Sequence, residues 1–168
     1  MGILIRKALP DDAYEYARIH IACWQAAYKD MIPDEYLSNM DIDELAEKTQ
    51  RVLINPGSFN WFYAENNGEM IGRLVIGKAR DKDKVEAGEI AAMYLLSEFW
   101  DKGYGKEMME FSLAELRRAG HEEALLWVLE ANSRARRFYE KCGFVFDGTK
   151  NEINLGAPLI EVRYTRML

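Results

Sequence analysis

Cysteine and histidine are scarce in this chain: Cys23 and Cys142, His20 and His121 are all there are. Two thiols without C-x-x-C spacing make no disulfide framework, and each reads as a small apolar residue. Two distant histidines do not support a zinc site, so no metal is expected and each histidine reads as a surface or capping residue. Proline is limited to four residues. No Pro/Gly/Ser linker, repeat or low-complexity stretch interrupts the sequence, so 1–168 is expected to form one domain. Long apolar runs are absent too. The longest, Ile90 to Leu96, has seven residues, where a bilayer span takes about 20. The N-terminus lacks the apolar stretch of a signal peptide, and Arg6 stands where a myristoylation signal wants Ser or Thr. A soluble, cytoplasmic protein with no membrane partner is expected. Basic residues are in deficit, 22 against 28 acidic ones for a net charge of −6, which argues against nucleic acid as a partner.

What is present is an ordinary globular composition, 49% apolar and 30% charged over 168 residues, enough for a core without staples. The charge is uneven. Asp11 to Glu47 holds ten acidic and two basic residues, 2 − 10 = −8, leaving +2 for the remainder. Such a segment reads either as a solvated helical face or as a surface that attracts a cationic substrate.

The periodicities alternate. Ile3 to Ala8 reads as a strand, then helices are expected over Asp11 to Tyr28, from Pro33 through Leu37, and over Ile42 to Leu53. Trp61 to Glu65, Met70 to Lys78 and Glu86 to Leu96 are strand-like, the first two joined by a hairpin at Asn66 to Gly68. A helix over Lys106 to Ala119, a strand over Ala124 to Leu129, a capped helix over Asn132 to Cys142, and strands over Phe144 to Asp147 and Ile160 to Met167 complete the order. This is α+β, with a largely antiparallel sheet and helices packed on it.

Chemistry concentrates between Glu89 and Phe144. A strand leads through Ser97, Trp100 and Asp101 to Gly103 and Gly105, and a helix follows at once. Glycines at a strand-to-helix turn let backbone N–H groups approach a ligand, and the helix start adds unpaired donors and a positive dipole end. That is an anion site suited to pyrophosphate, although such loops also serve as plain turns. Downstream, Arg134, Arg136, Arg137 and Lys141 cluster in an acidic chain, either as a solvated face or as partners for a phosphorylated cofactor. Gly72 to Lys78 nearly fits a nucleotide-hydrolase phosphate loop, but Ala79 stands where Ser or Thr must bind Mg²⁺, and Leu74 to Ile76 reads as strand. Met108 stands where a dinucleotide fingerprint would place its third glycine.

Two stretches together resemble the GNAT (Gcn5-related) N-acetyltransferase superfamily. Glu89-Ile90-Ala91-Ala92-Met93-Tyr94-Leu95, continuing to Gly103-Tyr104-Gly105, is similar to the family's cofactor strand and loop. Asn132-Ser133-Arg134-Ala135-Arg136-Arg137-Phe138-Tyr139-Glu140-Lys141-Cys142-Gly143-Phe144 is similar to its later N-x-x-A-x-x-F-Y-x-K-x-G-F motif. The stretch from Trp24 to Leu37 looks like the helical start of many bacterial members.

The resemblance implies a GNAT-like fold: a central, mostly antiparallel mixed sheet of about six to seven strands with helices on both faces. It implies an N-acetyltransferase using acetyl-CoA, without a metal, on a primary amine of a small molecule or protein, by direct attack in a ternary complex. The other reading is a non-catalytic acyl-CoA-binding or sensing domain. A backbone N–H near Leu95 would bond the thioester oxygen, Tyr139 would protonate the CoA sulfur, and Glu89 holds the position of the general base in some members. Cofactor contacts are expected from Met93, Tyr94, Leu95, Trp100, Asp101, Lys102, Gly103, Tyr104, Gly105, Lys106, Asn132, Arg134 and Tyr139. Trp24 and Tyr28 are expected to meet the acceptor, whose entrance the acidic segment would flank. Trp100 replaces the family's usual Arg or Gln, which implies loss of a side chain that braces the loop. The acceptor's identity and a homodimer are both left open.

Overall fold

The structure is a computed structural model that describes residues 2–168. One sheet of seven strands carries it: β1 (Leu4–Lys7), β2 (Phe59–Asn66), β3 (Glu69–Lys78), β4 (Gly88–Leu95), β5 (Glu123–Leu129), β6 (Val145–Asn154) and β7 (Pro158–Met167), in spatial order β1-β2-β3-β4-β5-β7-β6. Every neighbouring pair is antiparallel except β4 and β5. The helices are α1 (Ala13–Ala27), α2 (Asp34–Ser38), α3 (Ile42–Ile54), α4 (Tyr104–Arg118) and α5 (Ser133–Lys141).

Alternation along the strands feeds both faces of the sheet. Phe62, Ile71 and Leu74 pack with Met108, Met109, Leu113 and Leu116 of α4. Their sequence neighbours Tyr63 and Met70 turn the other way and pack with Tyr16, Ile19 and Cys23 of α1. Local chemistry sets the element ends. Asn67 and Gly68 both take positive φ (52° and 84°), which closes the β2–β3 hairpin. The Asp41 side chain accepts from Glu44 N at 2.9 Å and caps α3.

Several element ends differ from the sequence expectation by about two residues, β2 starting at Phe59, β4 at Gly88 and β7 at Pro158; α4 and β6 differ with a clear cause. Helix α4 begins at Tyr104 instead of Lys106, because Gly103, at φ 89°, occupies its N-cap. Strand β6 runs to Asn154, well past Asp147. It is an edge strand, exposed along most of its length and kinked where its register shifts beside Gly148 (φ 91°). Hydrogen bonds to β7 define it, and these leave no apolar alternation in the sequence. The stretch resembling a phosphate loop, Gly72 to Lys78, lies inside β3. No helix among the described residues is long and apolar enough to cross a membrane. No group of three or more His, Cys, Asp or Glu among them could hold a metal ion.

Candidate active site

The parallel seam is the origin of the site. Strands β4 and β5 pair only at Gly88–Ala124 and Glu89–Leu125, then diverge. Beyond that point β4 is bonded on its β3 side alone. Leu96 N donates to Ile71 O at 2.9 Å, and antiparallel bonding alternates by residue, so the Leu95 N–H and C=O, with those of Met93, point away from β3 into the wedge.

The mouth of the wedge is the turn before α4. Trp100 N bonds Ser97 O, and bonding resumes with Lys106 N to Gly103 O. Between them the N–H groups of Asp101, Lys102, Gly103, Tyr104 and Gly105 find no backbone acceptor. Asp101 and Gly103 are both left-handed (φ 58° and 89°), a backbone form that lets successive N–H groups face one ligand, here at the positive end of α4. The Trp100 ring corrects the expectation of a lost brace. Its Nε1 donates to Leu95 O at 2.8 Å, and Arg134 lies over its face at 4.3 Å while bonding Asp101 at 3.0 Å. Trp100 and Arg134 therefore tie the turn to β4 and to α5.

A groove of about 530 Å³ continues between α4 and α5, lined by Lys106, Glu110, Phe138, Lys141 and Arg166 among others. The basic cluster of α5 divides here. Arg134 faces the turn and Lys141 the groove, whereas Arg136 bonds Tyr164 Oη and Glu130 O, each at 3.0 Å, as a structural tie. Asn132 is buried and caps α5, its Oδ1 accepting from Ala135 N at 3.1 Å.

Tyr139 packs beside Phe138 and Phe144 with the α4–α5 core. Burial first, then Tyr94 across the wedge, raise its pKa far above the usual phenol value. On the other side Tyr28 and Tyr94 share a 2.8 Å hydroxyl hydrogen bond. The edge of Trp24 meets Tyr28 at 5.1 Å. Trp24 also lines a cleft of about 610 Å³ with His20, Tyr36, Glu35, Asp41 and Glu44, and with Lys48 as the one cation on its wall. Trp24 thus lines the cleft, while Tyr28 is not among the residues that line it.

Glu89 is a correction. It is 2% exposed, and its carboxylate accepts from Arg80 Nη2 (2.5 Å), Nε (3.1 Å) and backbone N (3.2 Å). Six residues of strand, about 20 Å, separate it from Leu95.

Sequence reading also passed over His20 and Arg73. His20 is half-buried instead of freely exposed: it stacks on Trp24 at 4.8 Å, and its Nδ1 lies 2.5 Å from Arg73 Nη1. Burial, then Arg73, then Lys48 push its pKa down to about 3. The available signal was Arg73 itself, a charge in the middle of the apolar strand Met70 to Ile76.

Residues 15–144 match the Acetyltransferase (GNAT) family. YuaI of Bacillus subtilis, an uncharacterized N-acetyltransferase, is 26% identical over 130 residues, 77% of this chain and 73% of its own length. Rv2775 of Mycobacterium tuberculosis, a probable N-acetyltransferase, is 28% identical over 148 residues, 88% and 82%. Among solved structures, PaiA N-acetyltransferase from Thermoplasma acidophilum in complex with coenzyme A shares the fold with a TM-score of 0.77 at 21% identity, covering 100% of both chains. So does yncA from Salmonella typhimurium with its cofactor acetyl-CoA, with a TM-score of 0.71 at 17% identity over 100% and 95%. A mixed sheet opened at its one parallel seam, a ring of free amides at that opening and a family match over most of the sequence lead to one assignment: this chain belongs to the GNAT acetyltransferase family.

Proposed function

We propose that the chain acts as one domain that transfers an acetyl group from acetyl-CoA to an amine. The observation that supports this reading most is the wedge, where β4 and β5 part beside a turn whose Asp101 to Gly105 amides have no backbone acceptor. Those residues fit the cofactor. Five unbonded amides suit a pyrophosphate, and Lys106, Lys141 and Arg166 in the adjoining groove suit further phosphate charge. Acetyl-CoA, when bound, supplies an activated acetyl thioester.

The chain's own groups do the rest. Met93 offers a strand-edge donor and acceptor that align an extended ligand arm along β4, while the Leu95 C=O is held by Trp100. The Leu95 N–H donates to the thioester carbonyl oxygen as negative charge develops there. The amine nitrogen would form its bond to the acyl carbon as the carbon–sulfur bond breaks, Tyr139 Oη would give its proton to the departing sulfur, and water that takes up the amine proton would restore the phenol. Tyr94 and Tyr28 wall the reacting space, and Asn132 fixes the start of α5 and with it Tyr139. The amine proton leaves to water in the open cleft. The acceptor enters through that cleft past Glu35, Asp41 and Glu44, which favour an amine carrying positive charge, an attraction that weakens as salt screens it.

Tyr139→Phe tests the reading. It keeps the ring and its packing, so the thermal stabilisation by acetyl-CoA persists. Turnover, read as release of the CoA thiol at saturating substrates, falls by about 10²–10⁴-fold. Turnover within twofold of the parent protein removes Tyr139 from the mechanism.

A further inference from the structure

Three charged residues are buried in this fold, and two of them are neutralised by the protein itself. Glu89 is held by Arg80, and Arg163 is ringed by Asp81, Asp83 and Asp147. The third, Arg73, is 7% exposed, and among the described residues no carboxylate lies within ion-pair distance of it. Its guanidinium rests over the rings of Tyr16 (4.7 Å) and Tyr94 (5.5 Å). Nη1 reaches His20, and Nε is buried with no partner. A buried cation left without an anion is costly, and aromatic faces offset only part of that cost.

His20 extends this charge to the cleft. A guanidinium can only donate, so His20 Nδ1 accepts and the proton of the neutral ring sits on Nε2. That nitrogen makes no hydrogen bond within the protein. His20 lines the cleft, and Tyr94, one of the two rings under Arg73, lies on the strand that carries the reacting wedge. The cleft wall therefore has two characters. Its rim is acidic, and its deep end carries a fixed donor backed by an uncompensated cation.

We propose that the acceptor amine carries its own carboxylate, which His20 Nε2–H binds at the deep end of the cleft, with the Arg73 guanidinium behind the ring as its counter-charge. This identifies the substrate class of the transfer reaction above and rests on that reading for the reaction itself. A carboxylate there supplies the counter-charge that Arg73 lacks, and a second positive group on the same molecule meets Glu35, Asp41 and Glu44.

Matched pairs that differ only by the carboxylate decide it: L-lysine against cadaverine, and L-arginine against agmatine. The decarboxylated member of each pair has the greater positive charge, so the acidic rim alone favours it. High salt screens the rim and leaves the buried site. Binding of all four is measured by calorimetry at high salt, and release of CoA is followed in parallel. L-lysine and L-arginine bind about tenfold or more tighter than their partners, the range for hydrogen bonds to charged groups. His20→Phe keeps the stack on Trp24 and removes most of that preference, and Arg73→Gln does the same where it folds. Equal binding, tighter binding of the decarboxylated amines, or no binding of any of the four overturns the proposal. A carboxylate preference in binding without release of CoA instead sustains it and rejects the acetyl transfer.

Discussion

Glu89 shows how far a residue's position in a motif can stand from its role in a fold. It aligns with the general base of some family members, yet three hydrogen bonds from Arg80 occupy its carboxylate and the strand carries it about 20 Å from Leu95. Arg80 is more exposed than its partner and is raised above its usual pKa chiefly by this bond. The pair therefore acts as an anchor for the chain leaving β3. Glu89→Gln keeps the shape and removes the charge. Its kcat stays within about tenfold of the parent protein, where loss of a working base costs 10²–10⁴-fold, while the melting temperature drops. A loss of kcat beyond a hundredfold, with the melting temperature unchanged, returns Glu89 to the chemistry. Arg73 makes the complementary point. It was legible as a charge inside an apolar strand, but its lack of a partner emerges only when α1 is laid across the sheet, because sequence separates it from His20 by 53 positions.

At the scale of elements, the turn into α4 carries the most consequence. Gly103 sits at φ 89° with nothing within 4 Å of where a Cβ would be. Its requirement is therefore conformational, not spatial, within the protein alone. A β-branched residue is strongly disfavoured there and would tilt the neighbouring amides away from a shared ligand. Gly103→Val retains the fold, since the turn lies outside the core, and abolishes the thermal shift given by acetyl-CoA. Without the substitution that shift is about 2.7 kcal/mol at 100 times the dissociation constant. An unchanged shift in folded Gly103→Val places the phosphates elsewhere. This turn was readable in advance, because glycine spacing and the following helix are local signals. Strand types and helices were readable for the same reason, through period and caps. The extension of β6 to Asn154 was hidden because an exposed edge strand is defined by its neighbour's hydrogen bonds. The acidic rim was visible as a charge imbalance, but its folding into a cleft by α2 and α3 depends on long-range packing. Trp100 was misread for a related reason: the carbonyl it braces belongs to the preceding strand, and only the turn brings the two together.

Across the whole molecule, the seam between β4 and β5 is bridged by two ladder pairs, so other contacts must keep the halves of the sheet in register. They come from the β3–β4 connection. Asp81 and Asp83 reach Arg163 of β7 at 3.1 and 2.7 Å, and Asp147 of β6 joins at 2.7 Å. Trp127 Nε1 donates to Asp81 at 3.2 Å, and Lys84 bonds Glu123 at 2.8 Å. The Arg163 side chain is almost wholly buried, and its carboxylates raise its pKa beyond the usual arginine range. Removing one partner of such a buried group costs about 3–5 kcal/mol. Arg163→Met lowers the denaturation midpoint by that order, and saturating acetyl-CoA recovers part of the loss by binding across the seam. A midpoint within 1 kcal/mol of the parent protein shows that the ladder alone holds the halves together.

The ring of amides from Asp101 to Gly105 also bears on inheritance. Every residue except proline carries an N–H, so a binding surface drawn from main-chain atoms leaves its side chains almost unconstrained. Ancestry can then rewrite the letters while the curl of the backbone persists. What such a surface preserves is a path of the chain through space, with glycine at its bend as one of the few spellings the path enforces.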